Sequence, residues 1–137
     1  MLYELALQFR YLQFYAHAAH NLVSGSTFFQ DHEFLGELYP TYETAYDTTV
    51  ERMIGLSKEL DLLKLQEAAG KMVAKMEDPT EPDDVFKMLL TGEHVICKLV
   101  EKCFEEEDEY TQGTLNMLAQ FADDSESRTY KMQQRIK

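Results

Sequence analysis

A chain of 137 residues is long enough for one domain, 1–137, whose core needs no covalent staples, and its hydrophobic share of 45% is that of an ordinary folded protein. No apolar run approaches the roughly 18 residues of a membrane span, and the opening Met1-Leu2-Tyr3-Glu4 lacks the basic region and cleavage site of a secretory leader, so the expectation is a cytoplasmic protein. A net charge of −12 argues against nucleic acid, whose binders gather lysine and arginine to displace counterions; residues 1–57 hold only Arg10 and Arg52 against seven acids.

Helical periodicity runs through the chain. Leu5, Phe9, Leu12, Ala16 and Ala19 step by four and three, the buried seam of a first helix over about 2–23. Ser24-Gly25-Ser26 breaks it. A second helix is predicted over about 28–57, with Leu35, Leu38, Tyr42, Ala45, Thr49, Met53 and Leu56 as its inner stripe. Leu60 to Lys75 reads as one or two short, weaker helical turns, and Glu77-Asp78-Pro79-Thr80-Glu81-Pro82 as a loop. The third long helix, about 83–106, is expected to bury Val85, Met88, Leu89, Val95, Ile96, Leu99 and Cys103. Asp108 to Thr111 turns the chain into a fourth that runs nearly to the end, closing with Arg128, Lys131, Arg135 and Lys137, the basic last turns that a helix dipole favours. No strand signal competes. Cys97 and Cys103 are neither a C-x-x-C pair nor a disulfide framework and read as two reduced thiols. The expectation is an all-α fold, a ferritin-like four-helix bundle with a long, partly helical crossover between helices 2 and 3.

Against this background His20, His32, Asp47 and Glu51 stand out. Imidazole nitrogen and carboxylate oxygen are ligands that Fe(II) and Zn(II) accept readily. Asp47 and Glu51 are one helical turn apart and leave the same face of one helix. His32, fifteen residues before Asp47, lies on the same stripe close to four turns away. At 100° per residue this stripe is roughly 150° from the inner one, so the candidates point away from the chain's own core and a complete site needs a neighbouring chain. The inward-facing E-x-x-H motif of larger di-iron ferritins is absent.

The words around these residues carry a resemblance. His20-Asn21-Leu22, the V-x-G-x-x-F turn Val23-Ser24-Gly25-Ser26-Thr27-Phe28, the stretch His32-Glu33-Phe34-Leu35-Gly36-Glu37-Leu38-Tyr39 and the D-x-x-x-E run Asp47-Thr48-Thr49-Val50-Glu51 resemble the Dps mini-ferritins. Asp108-Glu109-Tyr110-Thr111 through Leu115 and Leu118 to Tyr130-Lys131-Met132 is similar to the family's last helix. The likeness is strong over 17–54 and loose between 58 and 85. It implies a hollow, dodecameric homo-oligomer that binds Fe(II) at two-fold interfaces and oxidises it with peroxide, Asp47 and Glu51 of one subunit joining His20 of its partner. Zn or another divalent ion would occupy the same site. DNA-binding members grip DNA through a lysine-rich N-terminal tail that is not found here.

One position departs from the family pattern. An aspartate is expected four residues after the second histidine, where this chain has Gly36. The resemblance then implies a weakened, mononuclear or asymmetric ferroxidase site, with His32 left without its carboxylate; the alternative is a structural or metal-buffering shell with degraded redox chemistry. Pro40 belongs to the same neighbourhood, because it has no N–H for the carbonyl of Gly36. His17 reads as a surface or interface histidine that could substitute as a ligand, and His94 as structural. Asp108 with Asp123 or Asp124 would line a cation pore by resemblance, and Tyr39 and Tyr46 near the site could intercept one-electron oxidants, a role that nothing in the sequence requires.

Overall fold

The computed structural model describes all 137 residues and is wholly helical: α1 (Leu2–Leu22), α2 (Phe28–Gly55), α3 (Leu62–Ala74), α4 (Pro82–Glu105), a single 3-10 turn at Glu107–Glu109, and α5 (Gln112–Arg135). The turn from α1 to α2 is possible because Gly25 takes φ +105°, a region that L side chains rarely occupy. This short reversal lays α2 back along α1. The Asp61 side chain caps α3 by accepting from the Lys64 amide at 3.1 Å. Pro82 sits in the first turn of α4, where a missing N–H costs nothing, followed by Asp83 and Asp84 near the positive end of the dipole. Thr111 caps α5 through the Thr114 amide.

α1 and α2 pack along their length, α4 and α5 form the other pair, and α1 touches α4 as well. α3, the crossover, lies against α1. The seam predicted for α1 is buried throughout, and it meets α5 through Phe9 and Phe121, whose rings stack edge to face with centroids 5.0 Å apart. The ferritin-like bundle expected from the sequence is the observed fold.

Three expectations need correction. The crossover is not one or two short, weak turns but one capped helix of 13 residues, which buries Leu65 and Ala69. α2 ends at Gly55 and not at 57, and Ser57 follows with a left-handed φ of 58°. Val95 faces solvent; the buried stripe of α4 runs instead through Val85, Leu89, Glu93, Ile96, Val100 and Cys103.

Glu93 is fully buried. Arg128 reaches it from α5 with Nε at 2.6 Å and Nη2 at 3.0 Å, the Ser125 hydroxyl donates at 2.7 Å, and the Tyr42 hydroxyl donates from α2 at 2.5 Å. A second buried acid, Asp31 at the start of α2, takes a bidentate pair of hydrogen bonds from Arg135, both at 2.8 Å, and one from Thr27 at 2.6 Å. Burial would raise the Asp31 pKa, but the Arg135 guanidinium and the Thr27 hydroxyl outweigh it and hold the carboxyl below the ordinary range. The C-terminal arginines thus do more than complement a dipole: Arg128 and Arg135 tie α5 to acids on α4 and α2.

Candidate metal centre

The α1–α2 reversal brings His20 and His32 together. The Nδ1 of His20 lies 2.7 Å from the backbone carbonyl of His32, and the Nδ1 of His32 lies 2.7 Å from the carbonyl of His20. A carbonyl oxygen only accepts, so each Nδ1 carries a proton, and the neutral form of each ring has its lone pair on Nε2. This is the arrangement by which backbone acceptors orient metal-binding histidines. Its local cause is readable: the carbonyl of His20 falls in the last turn of α1, where no helical amide follows to satisfy it.

Gly36 is the other half of the cause. It stands one turn beyond His32 on α2, and the His20 ring occupies the space in front of it. A Cβ at this position would meet Cε1 of His20 at 2.9 Å and Nδ1 at 3.1 Å. The imidazole thus reaches the helix backbone at a position that bears no side chain.

The two rings are stacked, with centroids 3.8 Å apart and planes 16° from parallel. An imidazole lone pair lies in its own ring plane, and planes so nearly parallel do not meet near the rings. One ion cannot be bound in plane by both, so each Nε2 can serve only its own ion. Phe28 also stacks on His32, with centroids 4.9 Å apart. Tyr39 stacks face to face on His17 at 3.9 Å and lies 5.6 Å from His20.

Asp47 and Glu51 are exposed on α2, one turn apart. Fifteen residues of helix separate Asp47 from His32, a rise of about 22 Å. Within the chain no three His, Cys, Asp or Glu side chains come close enough to hold a metal. The imidazoles, one on α1 and one on α2, and the carboxylates on α2 are two halves that a single chain does not bring together. The bundle interior offers no alternative, because Glu93 has its carboxylate oxygens taken by Arg128, Ser125 and Tyr42.

Between the two halves the α1–α2 seam is polar. Gln13 accepts from Arg10 at 2.8 Å and donates to Glu43 at 2.7 Å, while the Arg10 guanidinium covers the Tyr46 ring at 3.6 Å. The Tyr46 hydroxyl is buried with no hydrogen-bond partner in the chain. His94 is exposed, as are Asp108, Asp123 and Asp124. Sequence reasoning missed the two buried acids, although Glu93 shares the spacing of Leu89, Ile96 and Val100, which already points it inward.

No protein-family model matches the chain, and no curated protein matches it either. Solved structures do. A double histidine-to-glycine mutant of the Dps of Listeria innocua is 17% identical, with a TM-score of 0.82 over 98% of this chain and 91% of that one. The DPS protein of Vibrio cholerae O1, described as a member of the ferritin-like diiron-carboxylate superfamily, is 19% identical at a TM-score of 0.77 over 99% and 86%. The CAIP protein of Helicobacter cinaedi is 18% identical at 0.77, each chain covered in full. At these identities the likeness establishes a fold: that of the Dps proteins.

Proposed function

We propose that this chain is a Dps-type mini-ferritin, which takes Fe(II) as its substrate at sites shared between two copies, oxidises it, and stores the ferric product inside a closed, dodecameric shell. Peroxide is the proposed oxidant. The observation that carries the reading is the reciprocal pair of Nδ1–H···O=C bonds, which leaves the Nε2 atoms of His20 and His32 as free donors, while Asp47 and Glu51 lie about 22 and 28 Å beyond His32 along α2. A second copy, with α2 running antiparallel, would set the carboxylates of one chain against the imidazoles of the other. Asp47 and Glu51 would balance one ion's charge, and His20 of the partner subunit would complete and orient it. Because the stacked rings serve separate ions, two irons per site are expected rather than one, the ion at His32 being the weaker for want of a carboxylate at position 36. Zn(II) would compete for the same donors. DNA is not a proposed partner, since the net charge is −12.

The test is to mix metal-free protein with Fe(II) under nitrogen, add peroxide, and follow ferric absorbance against Glu51→Ala. Fast oxidation in the parent and its loss in the variant is the expected result. Equal rates would overturn the proposal. One observation favours a second reading, a structural or metal-buffering shell: the His20 ring fills the place from which the family's aspartate would reach a metal. On that reading Co(II) still binds, but ferric absorbance grows no faster than in the variant.

A further inference from the structure

The outward stripe of α2 does not stop at the metal-ligand candidates. Three residues before His32 stands Phe29, 82% exposed, and three residues after Glu51 stands Ile54, 57% exposed. Side chains three apart lie on neighbouring rows of a helix, so Phe29 and Ile54 prolong the same stripe at its two ends. The four positions are also symmetric. His32 and Glu51 flank a midpoint between Thr41 and Tyr42, Phe29 and Ile54 flank that same midpoint, and it is the midpoint of α2 itself.

This coincidence links two independent needs. A second α2 laid antiparallel about a two-fold axis at that midpoint sets His32 opposite the partner's Glu51. The same register sets Phe29 opposite the partner's Ile54, and by symmetry both pairings occur twice. A single exposed apolar side chain is ordinary; what points to a covering copy is that both stand on the ligand stripe, at equal distances from the midpoint the ligands share. Shifting the register by a turn would separate the apolar pairs and the ligand pairs together.

We propose that Phe29 and Ile54 are the anchors of the interface between two copies of this chain, and that their pairing fixes the register in which the half-sites meet. The inference rests on the reading that the metal centre is shared. The contact is apolar and lies outside the ligands, so it forms without metal and presents them already in place. Gly36 and Asp47 also pair about this midpoint. The space in front of Gly36, where the His20 ring lies, is therefore close to the partner's first carboxylate.

The test uses charge exchange on metal-free full-length protein, read by sedimentation velocity, with helicity followed by circular dichroism as a check on folding. Phe29→Lys alone and Ile54→Glu alone should each weaken self-association by about ten-fold or more, as for a truncated interface anchor. The two substitutions combined set an ammonium opposite a carboxylate twice per pair and should bring association back to within a few-fold of the parent. A double variant no better than the weaker single one overturns the register, as do single variants that associate like the parent. Because the readout needs no metal, it separates this inference from the function. Rescue without Co(II) or Fe(II) binding leaves the interface standing and removes the ferroxidase reading. Metal binding at a shared site without rescue does the reverse.

Discussion

Adding one methyl group at Gly36 tests how far the imidazole pair governs metal binding. In Gly36→Ala the new Cβ would stand 2.9 Å from Cε1 of His20, closer than such contacts occur, and only the ring can yield. Moving it stretches the 2.7 Å bond from Nδ1 to the His32 carbonyl and disturbs the 3.8 Å stack. The loss of one neutral hydrogen bond is about 1 kcal/mol. Replacing a mid-helix glycine by alanine returns about 1 kcal/mol through backbone entropy. The two nearly cancel, so the melting temperature should move by no more than a few degrees. Metal affinity has no such compensation. The ring loses the acceptor that set its tautomer and direction, a loss of the kind that lowers affinity about 10–100-fold. The assay is a Co(II) titration followed by d–d absorption, with thermal unfolding at the same protein concentration. Unchanged Co(II) affinity in a stably folded Gly36→Ala protein would refute the argument. The same geometry bears on Gly36→Asp: an aspartate there would have to displace the His20 ring before its carboxylate could add a ligand.

Arg128→Met should cost about 3–5 kcal/mol, because it strands the fully buried Glu93 with two neutral donors; adding Glu93→Gln should recover a large part of that in denaturant titrations, and a loss under about 1 kcal/mol would show that the pair is dispensable. Asp31 has its pKa lowered in the folded state, so its contribution is complete above the unfolded value of about 4 and is lost as pH falls through the lower folded value. Melting curves from pH 5 down to 2 should therefore show an acid limb that Asp31→Asn flattens, and a limb unchanged by that substitution would assign it to other carboxylates.

What was legible in the sequence follows from what periodicity encodes. Leu5, Phe9, Leu12, Ala16 and Ala19 repeat with the helical period and are apolar, so pattern and burial agree. The stripe carrying His32, Asp47 and Glu51 was separable from the inner one by angle alone, and in the structure both carboxylates are exposed. Glu93 and Asp31 were hidden because a charged side chain reads as solvated until its partner is known, and their partners lie 35 and 104 residues away. Arg128 shares the spacing of Phe121, Ser125 and Met132, so the inward stripe of α5 was present in the pattern but masked by its charge. The reciprocal histidine bonds had no signature at all. They depend on an unsatisfied carbonyl at a helix end and on the absence of a side chain at Gly36, both of which appear only once α1 and α2 are side by side.

The two buried acids also impose an order on biosynthesis. Glu93 and Asp31 leave the ribosome long before Arg128 and Arg135, which answer them from the final helix. A nascent chain that has made only α1 to α4 lacks both cations and the helix that carries them, so neither carboxylate can yet be buried as one of a pair. Docking of that helix then closes both charge pairs at once, which makes completion of the bundle a late and concerted step and leaves prematurely terminated chains open to proteolysis.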